Sequence, residues 1–201
     1  MEALFTRLAV LILLPAAGYA LPVLIVGLFA SPYHVGVLVA MASLLLPGLI
    51  WALVWCLQLT DTIQDYRLGW FGERVVADAL EVLKTQGFSV FHDLPCLGAS
   101  GPFNLDHVVA GNGIVVVVET KTRHKPKGDP EGHKVSYDGE KVNWPTGHST
   151  SEIEQVLSNA AWLKKELKKQ LGFDVNVRAA LTMPGWYVRG GPPKAPVLVI
   201  A

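Results

Sequence analysis

Hydrophobic residues divide the chain into an apolar N-terminal part and a mixed C-terminal part. From Leu8 to Thr60 there is no Asp, Glu, Lys or Arg, and two apolar runs, Leu8–Ala30 and Val35–Leu59, flank a break at Ser31-Pro32. At 1.5 Å per residue, each run forms a helix longer than the roughly 30 Å of a bilayer's hydrocarbon core. The pattern predicts a transmembrane helical hairpin over residues 1–60, with spans at about 8–30 and 35–59.

The start of the chain also has features of a secretory signal peptide. Arg7 precedes the apolar run, and Gly18-Tyr19-Ala20 would suit cleavage after Ala20. The run continues to Ala30, however, which favours a membrane span, and under either interpretation the domain that follows stays inside. Arg7 and Arg67 favour cytoplasmic ends. We expect a multi-pass membrane protein with two spans in the lipid bilayer and a soluble domain in the cytoplasm.

After residue 60 the composition becomes that of a globular domain, with a polar connector at 61–69 and a domain at 70–201. The spacing of apolar residues predicts a helix over Trp70–Gln86, ended by Gly87. Its predicted inward stripe consists of Phe71, Val75, Ala79, Val82 and Leu83. A second helix is predicted to begin at the capping box Ser151-x-x-Glu154 and to end near Leu171, before Gly172. Its predicted inward residues are Ile153, Val156, Leu157, Ala160, Leu163 and Leu167.

Short apolar runs between turn residues predict seven strands. They are Ser89–His92, Phe103–Ala110, Ile114–Lys121, Lys134–Tyr137, Lys141–Trp144, Val175–Thr182 and Val197–Ile200, and Asp93–Pro102 is predicted to be loop. Asn112-Gly113 and Asp138-Gly139 each predict a hairpin. The order of elements is therefore helix, three strands, helix, strand and strand, with a small hairpin inserted before the second helix.

The first hairpin brings two acidic residues together. If Asn112 and Gly113 are the central residues of a two-residue turn, Asp106 lies directly opposite Glu119, whereas a three-residue turn would pair it with Val118 and leave Glu119 near. Side chains alternate along a strand, so Lys121 shares the face of Glu119. Two facing carboxylates require neutralisation, by a proton or by a hard cation such as Mg²⁺. Carboxylates, a metal and a lysine suit phosphodiester hydrolysis.

The order of these residues resembles a known signature. Asp106 followed by Glu119-Thr120-Lys121 is similar to the D…(D/E)xK pattern of the restriction-endonuclease-like, or PD-(D/E)xK, superfamily. Together with Gly72-Glu73 and Asp106-His107-Val108-Val109, it resembles the nuclease-related domain (NERD) family from about Trp70 to Thr182. The resemblance implies an α/β fold, with a mixed sheet flanked by helices. One departure is Leu105, which precedes Asp106 where the superfamily pattern has Pro.

The resemblance also implies roles for individual residues. Asp106, Glu119 and Glu73 would be metal ligands for Mg²⁺ or Mn²⁺, and Lys121 would be the catalytic lysine. Gln155 is similar to a glutamine that several relatives place beside the metal. Each has an alternative interpretation: Lys121 as a solvated strand-end lysine, Asp106 as a surface acid, Glu73 as a helix-dipole partner and Gln155 as a solvated helix residue. His107, on the opposite face from Asp106, is interpreted as a packed or surface histidine.

The formal net charge is +0, so any attraction to nucleic acid must be local. The loop after Lys121 carries Arg123, Lys125 and Lys127, which we expect to contact phosphates, although the loop could also be merely solvated.

Cys56 and Cys96 predict no disulfide. His124, His133 and His148 lack the spacing of a zinc site.

These patterns lead to three functional hypotheses. The first is a membrane-anchored, Mg²⁺-dependent nuclease acting on DNA, a phosphodiester hydrolase. The second is a catalytically weak module for nucleic-acid binding or assembly on the membrane. The third is a metal-dependent hydrolase of another phosphorylated substrate. The intact set of Asp106, Glu119 and Lys121 favours the first.

Overall fold

A computed structural model describes residues 34–99 and 101–201 of the chain. The first helix, α1, is His34–Glu81, and a 3-10 turn, Val82–Gln86, follows it. By internal contacts the chain divides into two units, Met1–Gln64 and Asp65–Ala201. The segment 61–69, interpreted from sequence as a connector, is helical. The helix and its 3-10 extension end at Gly87, as predicted, because its φ of 85° suits glycine.

The predicted membrane hairpin is not found in the described structure. The first predicted span, 8–30, lies outside the described residues, and the second, 35–59, lies within α1. Over residues 34–99 and 101–201, no helix combines the length and apolarity that crossing a membrane requires.

The second unit is a mixed α/β domain, which confirms the predicted fold class in outline. Five strands form the main sheet in the order β1-β2-β3-β7-β9. The first three pair antiparallel, whereas β3, β7 and β9 are parallel. Their bounds are Ser89–Gly98 for β1, Gly101–Gly111 for β2, Ile114–Thr120 for β3, Asn176–Thr182 for β7 and Val197–Ile200 for β9.

A smaller sheet is built around the inserted hairpin. Its order is β6-β5-β4-β8, with bounds Lys134–Tyr137 for β4, Val142–Trp144 for β5, Gly147–Ser149 for β6 and Tyr187–Arg189 for β8. The sequence predicts β4 with its observed bounds and β5 one residue too long, but it misses β6 and β8. These are three-residue strands next to Pro and Gly, too short to show an alternating pattern.

The second helix, α2, Ser151–Leu171, connects β3 to the parallel strand β7 and packs on one face of the main sheet. Ile153, Val156, Ala160 and Leu163 are buried there, as predicted. The predicted capping box is wrong, because Thr150 is the N-cap and makes no side-chain capping bond. Ser151 is already helical, so its hydroxyl cannot take the capping role.

The opposite face of the main sheet is covered by α1 and the 3-10 turn. Val76 is buried against Val90, Val109, Val118 and Ala180, with Leu80 and Leu83 packed beside it. The predicted stripe is confirmed only at Leu83. It is wrong at Ala79, which is exposed, and at Phe71, Val75 and Val82, which are 61%, 41% and 58% exposed. The reason lies at Gly72, where an added Cβ would overlap the Thr122 side chain. The smallest residue permits the closest approach of the helix to the sheet.

Candidate active site

The turn at Asn112-Gly113 sets the register of β2 and β3. Both residues have positive φ, 50° and 75°, as a type I′ turn requires. Gly111 pairs with Ile114, and the pairing continues without a bulge to His107 opposite Val118. Continued by one residue, this register brings Asp106 opposite Glu119. The predicted two-residue turn is confirmed, and the three-residue alternative is wrong.

The antiparallel pairing stops where the two acids meet. The backbone N–H of Thr120 donates a 2.8 Å hydrogen bond to Oδ2 of the Asp106 side chain and not to a backbone carbonyl of β2. The bond fixes one carboxylate oxygen of Asp106 at the end of β3. The other oxygen, Oδ1, receives no hydrogen bond from the described residues.

Glu119 is buried, with 2% of its surface exposed. Its Oε1 lies 2.9 Å from Lys121 Nζ, and its Oε2 accepts a 3.1 Å hydrogen bond from Asn159 Nδ2 of α2. The ion pair confirms that Glu119 and Lys121 share one face of the sheet. Asn159 was not predicted as a site residue. The signal was present, since Asn159 follows Val156 by three residues and precedes Leu163 by four on the core-facing side of the helix.

Glu73 reaches the same region from α1. Its neighbour Gly72 packs against Thr122 and Pro184, just beyond the end of β3. The side chain of Glu73 is exposed as a whole, yet partial burial of its carboxyl group raises its pKa, and so do the charges of Asp93 and Glu119. Lys121 opposes the shift. The sequence-predicted acid therefore lies within electrostatic reach of the predicted site.

Asp93 is an acid of the segment that the sequence predicts to be a loop. It lies within β1, between the pairs His92–His107 and Leu94–Leu105, and therefore beside Asp106 across the sheet. Its φ of 48° interrupts the pairing, a conformation that Asp tolerates better than most residues. Asn104 Nδ2 donates a 2.6 Å hydrogen bond to its Oδ1. Asp93, Asp106 and Glu119 thus occupy adjacent positions on three neighbouring strands, and we call them, with Glu73, the acid cluster.

The acid cluster changes the protonation of its central member. Burial raises the pKa of Asp106 to about 7, and the charges of Glu119 and Glu73 add to the shift. The hydrogen bond from Thr120 and the charge of Lys121 act in the opposite direction. Near neutral pH, Asp106 therefore exchanges readily between a neutral acid and a carboxylate.

Behind the acid cluster, a chain of hydrogen bonds holds Thr120. His107 Nε2 lies 3.3 Å from Thr120 Oγ1, His107 Nδ1 lies 2.8 Å from His92 Nδ1, and His92 Nε2 lies 2.9 Å from Glu81 Oε1. The carboxylate of Glu81 only accepts, so with both rings neutral the hydroxyl donates to His107 and His107 donates to His92. Burial, together with His92, lowers the pKa of His107 to about 4, which keeps its ring neutral. The interpretation of His107 as a packed histidine is confirmed.

Comparison with known protein families identifies the domain to which this geometry belongs. The family described as nuclease-related domain (NERD) matches residues 68–184, more than half of the chain. The chain belongs to this family. NERD belongs to the PD-(D/E)xK-like nuclease superfamily, which implies a nuclease-related function and nucleic acid as substrate. Neither the curated proteins nor the solved structures gave a match.

The NERD match includes four of the predicted site residues that the structure brings together, namely Glu73, Asp106, Glu119 and Lys121. Gln155 also lies within it, but its side chain is exposed and, among the residues that the structure describes, forms no hydrogen bond with the acid cluster. One helical turn later, Asn159 makes that contact. Gln155 lines a groove beside Asn159 instead.

The three basic residues of the loop after Lys121 differ in their surroundings. The guanidinium of Arg123 forms an ion pair with Glu152, which is 3% exposed. It also lies over the ring of Trp144, with Cζ 4.4 Å from the ring centre. Arg123 therefore has a structural contact that the sequence did not predict. Lys125 is exposed, with Nζ 5.8 Å from the Trp186 ring centre, and Lys127 is exposed without a carboxylate in ion-pair range among the described residues.

Nucleases of the PD-(D/E)xK-like superfamily usually use divalent metals. In the part of the chain that the structure describes, no three His, Cys, Asp or Glu side chains converge closely enough to enclose a metal ion. Mg²⁺ commonly takes only one or two protein carboxylates and completes its shell with water and phosphate. Asp106 and Glu119 fit that requirement, because they are two largely buried carboxylates whose negative charges repel each other.

Proposed function

We propose that this chain is a metal-dependent nuclease that hydrolyses phosphodiester bonds of DNA, with Mg²⁺ or Mn²⁺ as its metal. The observation that carries the proposal is the arrangement of Asp106, Glu119 and Lys121 at the end of one hairpin. Lys121 lies 2.9 Å from the buried carboxylate of Glu119, beside Asp106, whose pKa is raised by burial and by the charge of Glu119. A bound cation would stabilise this arrangement.

Each residue of the site has a separate task in this proposal. Asp106 and Glu119 would hold the metal. Hydrogen bonds from Thr120 to Asp106 and from Asn159 to Glu119 would keep the two carboxylates in position. When bound, a divalent cation polarises the phosphoryl oxygen and lowers the pKa of a water molecule. Lys121 would orient that water through its ammonium group or stabilise the charge that develops on the phosphate.

Nucleic acid as the substrate is supported by the exposed cations of the loop that follows Lys121. Lys125 and Lys127 lie four and six residues after Lys121, which itself forms the ion pair with Glu119 at the site. Their ammonium groups are available to phosphates in a way that the paired Arg123 is not. Contacts of this type act on any sequence, because they neutralise the backbone charge.

Cleavage assays test the proposal. The purified chain is incubated with plasmid, linear duplex, single-stranded DNA and RNA, in Mg²⁺, Mn²⁺ or EDTA. We expect DNA cleavage that requires the metal and that is lost in Glu119→Gln, whereas Lys165→Met, an exposed change on α2, cleaves like the parent. DNA binding without metal-dependent cleavage would contradict the nuclease and support the binding module. Preferential RNA cleavage would contradict the substrate alone.

We also propose that the N-terminal segment anchors the chain in a membrane, with the nuclease domain in the cytoplasm. The support is the absence of Asp, Glu, Lys and Arg from Leu8 to Thr60. In addition, six large apolar side chains of α1 are 46% to 65% exposed, namely Leu49, Ile50, Trp51, Leu53, Val54 and Leu57. Exposed apolar surface of this extent is typical of a membrane or protein contact.

Fractionation and reporter fusions test the anchoring. We expect the chain to sediment with membranes and to resist extraction by high salt and by alkali. A reporter fused after Ala201 should be active on the cytoplasmic side, and one inserted at Tyr33 on the opposite side. A chain released by salt, or a fusion after Ala201 on the far side, would contradict the anchoring or the orientation respectively.

A further inference from the structure

A groove of about 540 Å³ lies between the β1–β2 hairpin and α2, a volume within the usual range for ligand sites. Its polar side chains are Asn104, Gln155, Ser158 and Asn159, and its aromatic side chains are Phe103 and Trp162. None of the described residues that line it is ionisable. A groove without a cation is poorly suited to a phosphate, but amides and a hydroxyl suit the hydrogen-bonding edge of a nucleobase.

Two asparagines connect this groove to the acid cluster. Both line the groove. Asn159 Nδ2 donates a hydrogen bond to Glu119, and Asn104 Nδ2 donates one to Asp93. The two asparagines therefore belong both to the groove and to the surroundings of the acid cluster. A ligand group in the groove would lie next to a phosphate held at the acid cluster.

These contacts also fix which atoms the asparagines offer. A carboxylate only accepts hydrogen bonds, so each asparagine must turn its NH₂ group toward the acid. The amide oxygens, Oδ1 of Asn104 and of Asn159, are then directed away from the acids, and the described residues provide no donor to either. The groove consequently offers two oriented acceptors, which suit a partner that donates an amino group.

The aromatic wall completes the description of the ligand. Phe103 and Trp162 meet edge to face, with ring centres 5.0 Å apart. Planar bases stack on such rings whatever their sequence, and a base can enter the groove only when it is unstacked from its own helix. The ligand is therefore a base from a single strand or from a locally opened duplex.

We propose that this groove binds one nucleobase with an exocyclic amino group, in a single-stranded segment of the substrate. The inference rests on the proposed nuclease function, since it assumes that the adjacent phosphate lies at the acid cluster. It adds a base preference and a strand preference that the acid cluster alone does not give. Ser158 and the two asparagines would determine the preference, and Trp162 would supply the stacking surface.

Binding measurements on the whole chain test the inference. Fluorescein-labelled hexanucleotides of deoxycytidine and deoxyuridine carry equal phosphate charge. They differ in that cytosine has an exocyclic amino group where uracil has a carbonyl oxygen. With Ca²⁺ as the cation, we expect the deoxycytidine strand to bind about tenfold more tightly, as one or two neutral hydrogen bonds imply. Equal affinity of the parent chain for the two strands would overturn the inference, and this comparison needs no variant.

A filled groove gives the second comparison. Ser158→Trp, on an exposed position of α2 that makes no contact with the acid cluster, should remove the preference and weaken deoxycytidine binding about tenfold. Ala161→Trp, exposed on the same helix but outside the groove, is the matched control and should bind like the parent. A Ser158→Trp chain that still discriminates between the strands would overturn the inference.

The same samples separate this inference from the proposed function. If Mg²⁺-dependent cleavage is present but the strands bind equally, the base site is wrong and the nuclease stands. If the base preference and its loss in Ser158→Trp are found but no cleavage occurs with Mg²⁺ or Mn²⁺, the nuclease is wrong and the groove retains its ligand class.

Discussion

Replacing Asp106 by asparagine tests the electrostatics of the acid cluster without changing its shape. Asparagine is close in size to aspartate, and its amide oxygen can still accept the hydrogen bond from Thr120. What disappears is a negative charge beside Glu119 and Glu73. In the absence of metal, that charge is unfavourable, because burial and the neighbouring carboxylates raise the pKa of Asp106 from 3.8 to about 7.

The size of the effect follows from this pKa. A difference between 3.8 and about 7 corresponds to about 4 kcal/mol at 1.36 kcal/mol per pH unit. Asp106 is partly exposed, so solvent screening reduces the expected value to roughly 1–3 kcal/mol. The raised folded-state pKa means that the folded chain holds the proton more tightly, so its stability falls as pH rises from about 4 to about 7. Above that window the destabilisation is complete, and below about 4 it is absent.

Thermal denaturation of the metal-free chain at pH 5, 6, 7 and 8 measures this effect. At pH 8 we expect Asp106→Asn to melt roughly 2–10 °C above the parent, and the two curves to approach each other at pH 5. Mg²⁺ should raise the melting temperature of the parent and raise that of the variant much less. In Asp138→Asn, the matched control, no such gain is expected, because hydrogen bonds from Lys141 and Glu140 lower the pKa of this exposed acid. The same difference in melting temperature between the parent and Asp106→Asn at every pH would show that the charge of Asp106 does not destabilise the folded chain.

Three further predictions concern the lysine and the basic loop. Lys121→Met should reduce cleavage by about 100-fold or more while calorimetric metal titration shows equal or tighter binding, and parent-like cleavage would exclude Lys121 from the chemistry. Arg123→Ala should lower the free energy of unfolding by roughly 1–3 kcal/mol in denaturant titration, because Glu152 loses its partner, and an unchanged stability would contradict this role. Joint replacement of Lys125 and Lys127 by Ala should make the plot of log affinity for DNA against log salt concentration less steep, by the equivalent of up to about two phosphate contacts. An identical slope would show that neither lysine contacts the DNA backbone.

The sequence predicted the parts of the site that depend on local rules. A two-residue Asn-Gly turn requires positive φ at both positions, so the register of β2 and β3 follows from the turn, and so does the meeting of Asp106 with Glu119. Alternation along β3 then predicts that Lys121 reaches Glu119, and the two side chains form an ion pair.

The sequence did not predict the parts that depend on tertiary contacts. Asp93 lies in a segment rich in Gly and Pro that was expected to be a loop, but β1 is the edge strand of its sheet and tolerates Pro95 there. Asn159 and Glu152 are polar residues at buried positions of α2, and no helical period indicates which partner such a residue has. The inward face of α1 was misassigned because apolar residues occupy two adjacent stripes, and the close contact of Gly72 with the sheet decides between them.

The turn at Asn112-Gly113 has a consequence for genetics. It lies at the far end of the two strands from Asp106, six residues away, or roughly 20 Å of extended chain. An insertion of one residue in this turn would slide β2 along β3 and set Asp106 against Val118, on the wrong face of the sheet. A collection of inactive mutants would then include insertions and deletions in an exposed turn that changes no acid, no lysine and no groove residue. Such mutants would keep every functional side chain and still lose activity, because the two acids would no longer face each other.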